Sequence, residues 1–162
     1  MAHQTRSIYG AAMVRKRLFV LASLGMAFCA QAAAAGIVAQ CGPSVGKSFY
    51  LTEENGGWTD DRISKGQFLF DVDSDGNWDI ISRDAFGKNV SAVADGAVVV
   101  KVQGAAPFKT FLLVSAYPGS GVAETYSVTT ELTGKRVLLW TTNKQNDLPS
   151  GKKMAAFLSV CD

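Results

Sequence analysis

From residue 36 onward the chain is a succession of short runs rich in Val, Phe, Tyr, Trp and Thr, and none reads as an amphipathic helix. The runs are SFYLT, GQFLFDV, WDIISRD, GAVVVKVQ, TFLLVSAY, ETYSVTTEL, RVLLWTT and AAFLSVC. Such residues suit a pleated, half-buried surface. Several runs alternate with period two, as at Val98, Val100 and Val102 or Tyr126, Val128 and Thr130. Turn signals separate them: SDG, AFGKN, QGAAPF, YPGSG, LTGK and LPSGK. Because most gaps are short, neighbours in sequence are expected to pair as antiparallel hairpins. The pattern predicts an all-β chain, an antiparallel meander of about eight strands.

A meander must hide its edges, by closing on itself or by stacking as two sheets. Cys41 and Cys161 lie near opposite ends of this region. An even pair bracketing an exported domain reads as a disulfide, and it would bring the first and last strands together. Closing so long a loop stabilises by about 4–5 kcal/mol on the chain-entropy estimate. That seam is where an up-and-down barrel closes. A small closed barrel of lipocalin-like or streptavidin-like shape is therefore favoured, with a β-sandwich as the alternative.

The N-terminus reads as an export signal. Arg15, Lys16 and Arg17 precede an uncharged run from Leu18 to Ala30, and small residues follow in AQAAAAG. This basic, apolar and small-residue order marks a secretory signal, removed on export. The apolar run is shorter than the ~20 residues that a membrane-spanning helix needs. Residues 1–35 are expected to be the signal and residues 36–162 one all-β domain, periplasmic or secreted. Whole-chain charge is +2, from 16 Lys and Arg against 14 Asp and Glu. Loss of Arg6, Arg15, Lys16 and Arg17 leaves 12 against 14, or −2. Nothing in that balance points to nucleic acid, and no membrane span is expected after cleavage.

Removal of His3 with the signal leaves no histidine. That excludes Ser-His-Asp and Cys-His catalysis and the usual histidine zinc sites. A hydrolase would have to use paired carboxylates drawn from Asp60, Asp61, Asp84, Asp95 and Glu124, and none has a spacing that singles it out. The stretch GPSVGKS, Gly42 to Ser48, approaches a phosphate-binding loop, but it is one residue short and lacks the following helix. It is expected to be a turn into the first strand. The polar stretch Thr52 to Gly66 is expected to be a loop over one barrel mouth. Trp58, Trp78, Trp140, Tyr117 and Tyr126 can line a pocket or pack a core, and Tyr117 and Tyr126 are placed near one another at a barrel rim.

The most specific motif is DVDSDGNWD, Asp71 to Asp79. Its start matches an EF-hand loop, but Ser82 stands where the bidentate glutamate belongs, and the flanks read as strands. With its flanks, FDVDSDGNWDII resembles the calcium loops of FG-GAP and VCBS-type repeats, in which an Asp-rich loop joins two strands. The resemblance covers about a dozen residues. It implies that Asp71, Asp73, Asp75 and Asp79 supply carboxylates to Ca²⁺ and Asn77 a backbone carbonyl. A three-residue turn, Ser74-Asp75-Gly76, with Gly76 in the left-handed region, pairs Val72 with Trp78 and Phe70 with Ile80. In that register Phe68, Phe70, Val72, Trp78 and Ile80 share one face, and Asp71, Asp73, Asn77 and Asp79 share the other. The segments GWTDDRISKG, AYPGSG and ETY also resemble those of small exported bacterial proteins.

Taken together, the residues lead to a non-enzymatic exported β-domain that requires no cofactor and binds a small ligand or a protein. The alternative is a calcium-stabilised structural or adhesive module. A carboxylate hydrolase is the least favoured. Ligand binding requires a sizeable apolar cavity, whereas protein binding requires a filled core and an exposed apolar patch.

Overall fold

The computed structural model describes residues 35–51, 57–102, 111–145 and 152–162, all within one compact unit. The expected signal lies outside these residues, apart from Ala35. Ten strands form among them, all paired antiparallel: β1 (Gly36–Leu51), β2 (Gly57–Ile63), β3 (Gln67–Val72), β4 (Trp78–Arg83), β5 (Asn89–Ser91), β6 (Val98–Val102), β7 (Phe111–Tyr117), β8 (Val122–Thr130), β9 (Arg136–Lys144) and β10 (Lys152–Cys161). Their order is β5-β4-β3-β1-β10-β9-β8-β7-β6, with β2 also paired to β1.

The first and last strands do lie side by side. Cys41 stands opposite Cys161, and the two form a disulfide buried in the core. This seam is the middle of the sheet, because β1 pairs on its other side with β3 and then β2, end to end. The sheet curls into a half-barrel whose two free sides belong to mid-chain strands, β5 and β6. Between these, residues 92–97 fold as a turn instead of a strand. Ala92 N–H donates to the Ile80 carbonyl and Ala97 N–H to the Ala92 carbonyl, both at 2.9 Å. Ala92 and Ala97 are buried there in the core.

Three sequence expectations need correction. The described residues form ten strands, two more than the eight runs. Residues 57–63, assigned to a loop, form β2, whose side chains are mostly exposed. With Trp58 and Ile63 on opposite faces and polar residues between them, this strand has no apolar alternation to betray it. It is fixed by its ladder to β1, by a Lys47–Asp60 ion pair at 2.7 Å and by the Phe49 and Trp58 rings, 5.6 Å apart. GPSVGKS lies inside β1, with a bulge between Cys41 and Ser44. Gly46 is required where β1 crosses β10. A Cβ there would run into the Ala156 carbonyl and come within 2.8 Å of the Phe157 ring.

Aromatic rings fill the concave side. Phe68 on β3 packs against Trp140 at 4.9 Å and Tyr126 at 5.3 Å, and Trp140 stacks on Phe157 at 4.6 Å. Phe111 meets Phe70 at 5.4 Å and Trp78 at 5.0 Å. Contacts from β3 and β4 to β7, β8 and β9 make this a core shared across the curl, and each ring pair adds about 0.5–1.5 kcal/mol beyond burial. Tyr126 belongs to that core and not to a rim, because it stands opposite both Leu113 and Trp140.

Candidate functional site

The acidic hairpin has the register its apolar face requires. Phe70 pairs with Ile80, Asp71 with Asp79 and Val72 with Trp78. Asp73 N–H donates to the Asn77 carbonyl at 3.0 Å, Gly76 N–H donates to the Asp73 carbonyl at 3.1 Å, and Gly76 has φ 84°. Two of the four carboxylates, those of Asp73 and Asp79, are engaged within the protein. One Asp73 oxygen accepts from the backbone N–H groups of Asp75 and Asn77, at 2.8 and 2.9 Å, and the other from the Asn77 amide at 2.9 Å. The Asn77 side chain, then its backbone N–H, holds the Asp73 carboxyl below the usual range. Asp79 reaches the next segment: it accepts the Ser91 hydroxyl at 2.6 Å and the N–H groups of Ile80 and Val93 at 2.7 and 3.2 Å. Asp71, Asp73, Asp75, Asn77 and Asp79 thus share one hairpin. Among the described residues no three acids, cysteines or histidines gather in a metal-holding group.

Of the other candidate acids, Asp95 lies in the 92–97 turn, its N–H donating to the Ser91 carbonyl at 3.0 Å, and four are held by named partners. Asp60 pairs with Lys47. Asp61 accepts from the fully buried Ser48 hydroxyl and from Lys153 at 2.9 Å, and these bonds, Ser48 first, lower its pKa. Burial alone would lower the Lys153 ammonium, but hydrogen bonds to Tyr50 and Asp61 outweigh it and raise the pKa. Asp84 caps its own hairpin, accepting from Phe86 and Lys88 N–H at 2.8 and 2.9 Å. Glu124 accepts the Tyr126 hydroxyl at 2.6 Å. Burial first, then the Glu124 charge, pushes that phenol far above its ordinary value.

The unexpected surface is the outer face. A row runs directly across six strands: Val45, Leu158, Leu139, Ser127, Leu112 and Val102. Beside it runs a second, Ala156, Thr141, Thr125, Val114 and Val100, and then a third, Met154, Asn143, Ala123, Ala116 and Val98. None of these residues is charged; the second row continues onto β1 at Lys47, which is paired with Asp60. Val45 is 61% exposed, Leu158 51%, Leu139 49% and Val102 40%. A trough of about 420 Å³ lies along the second and third rows, with Trp58 and Met154 at its wall. An antiparallel sheet with one wet face ordinarily alternates apolar-in and polar-out.

No family model, curated protein or solved structure matches this chain. The sequence did carry a signal for the outer face: runs such as VVV, VLL and AAFL are apolar at both parities, as in a strand covered on two sides. Reading them only as strand markers overlooked what that doubling means for the exposed side.

Proposed function

We propose that this protein is an exported, non-enzymatic β-domain that binds a partner protein through the largely apolar outer face of β6–β10 and the adjoining Val45 of β1. The observation that carries the reading is the exposed cross-strand row from Val45 through Leu158 and Leu139. Contiguous exposed apolar surface of this kind marks interaction sites. The concave side is packed with rings, which favours a protein partner over a ligand held inside the curl. The Cys41–Cys161 disulfide fits an oxidising compartment, periplasmic or secreted. No described helix is long and apolar enough to cross a membrane. The test is a photo-reactive amino acid placed at Leu139 in the producing cells. One discrete protein adduct is expected, lost in Leu158→Lys and unaffected by Arg83→Gln. Absence of any adduct at Leu139 would sink the reading.

A calcium-stabilised role for the acidic hairpin is the second reading, favoured by one observation. Asp71 and Asp79 stand directly opposite each other, a like-charge pair that disfavours the hairpin by some tenths of a kcal/mol. Bound Ca²⁺ would remove that penalty. Millimolar Ca²⁺ should then raise Tm, and Asp73→Ala should abolish the rise. An unchanged Tm in the intact protein ends this reading.

A further inference from the structure

The β4–β5 hairpin, at one free side of the sheet, ends in a ring that nothing covers. Phe86 lies in its 84–88 turn and is 96% exposed. Every residue from Asp84 to Val90 is exposed, so the tip stands clear of the fold. A single exposed apolar residue needs no explanation by itself. The charges gathered around this one do.

Arg83 and Lys88 flank the tip within the hairpin. Lys65 stands beside it, because the 64–66 link and residues 82–85 line one notch. The acid in this group is Asp84, whose carboxylate accepts two backbone N–H groups of its own turn. Among the described residues the ion pairs are Lys47–Asp60 and Lys153–Asp61, so none of the three cations is neutralised. Arg83 lies on the outer face, where its Nε donates to the Asn89 amide oxygen at 2.8 Å and one Nη to that of Gln67 at 3.5 Å. Lys65 belongs to the notch, with Phe68 and Val90. The cations therefore surround the base of the tip, which suits a hairpin that meets a surface end-on. Leu132, in the 131–135 turn, is equally bare, but its neighbour Arg136 donates to the backbone carbonyls of Asp162 and Val38, at 2.8 Å each. An anionic bilayer sets negative headgroups over an apolar layer. Cations at the base and a ring at the tip match that order of depth.

We propose that this hairpin tip rests reversibly on an anionic phospholipid surface, with the Phe86 ring at the boundary of headgroups and acyl chains and Lys65, Arg83 and Lys88 among the headgroups. The inference is independent of the outer face. The probes are vesicles of phosphatidylcholine, with and without phosphatidylglycerol, co-sedimented with the exported protein. The protein should sediment with the anionic vesicles, stay in solution with the neutral ones, and be released by high salt. Phe86→Ser, at a bare side chain that the fold does not use, should weaken binding about tenfold. Lys65→Gln and Lys88→Gln should each weaken it about fivefold. Leu158→Lys, on the outer face, should not weaken it, which separates this contact from the one proposed for a partner protein. Failure to sediment with anionic vesicles would overturn the proposal. So would equal binding to both kinds of vesicle, undiminished binding of Phe86→Ser, or binding lost in Leu158→Lys.

Discussion

Two hairpins of this protein share one turn and differ in almost everything else. Residues 73–77, DSDGN, and 84–88, DAFGK, each begin with an aspartate whose N–H bonds to the carbonyl four residues on. In each, that aspartate's side chain caps two backbone N–H groups, and a glycine at the fourth position takes φ near 80°. Residues 131–135, ELTGK, repeat the backbone pattern. The turn therefore needs an acid at its first position and a glycine at its fourth. Asp71, Asp75 and Asp79 are surplus to it, because Ser82, Phe86 and Val90 stand in the matching places of the second hairpin. One of the three has another task, since Asp79 holds the segment from Ser91 to Val93.

The comparison can be broken most sharply at Asp79. Asp79→Ala should cost about 2 kcal/mol in urea unfolding, because a charged acceptor of three hydrogen bonds is lost. Val90→Ala, at the matching place, should cost less than about 1 kcal/mol. Equal losses would mean that Asp79 does not organise the 91–97 turn. Next come the glycines. Gly76→Ala and Gly87→Ala should each cost about 1–2 kcal/mol, the strain of a left-handed non-glycine residue, and the two values should agree. Disagreement would show that the turns are not equivalent.

A smaller effect is expected from acid. The lowered pKa of Asp73 means that its stabilising contribution is complete above the unfolded value of 3.8 and is lost as pH falls through the lower folded value. The Tm difference between the intact protein and Asp73→Asn should be full at neutral pH and shrink only below pH 3.8. A difference that vanishes at higher pH contradicts the capped geometry. Smallest is Asp71→Asn, which should stabilise by a few tenths of a kcal/mol without calcium by relieving the Asp71–Asp79 repulsion. A loss of stability on that change would mean that Asp71 already has a cation for company.

The acidic hairpin was legible residue by residue, since only one register puts Phe68, Phe70, Val72, Trp78 and Ile80 together, and that register is present. The Cys41–Cys161 seam was equally legible. What escaped was whatever lacked an apolar period. β2 has a single apolar residue on each face, and the first half of β1 is broken by Gly42 and Pro43 at its bulge. Tyr126 looked like a rim residue because its turn is short, but strand parity places it between Leu113 and Trp140. Asp79 has the same sequence neighbourhood whether it binds an ion or caps a turn twelve residues away. Only the folded path of residues 91–93 tells the two apart.

The place of β1 between β3 and β10 sets a timetable. As a nascent chain lengthens, β1 acquires β2 and β3 early, and the hairpins of the first half can form as they emerge. Its other side has to wait for β10, the last of the described strands, which is made more than a hundred residues after β1 begins. Until then the central strand of the finished sheet is an open edge. A chain stopped ahead of β10 would lose its middle, not its margin, and would leave Cys41 without its disulfide partner beside an unpaired strand.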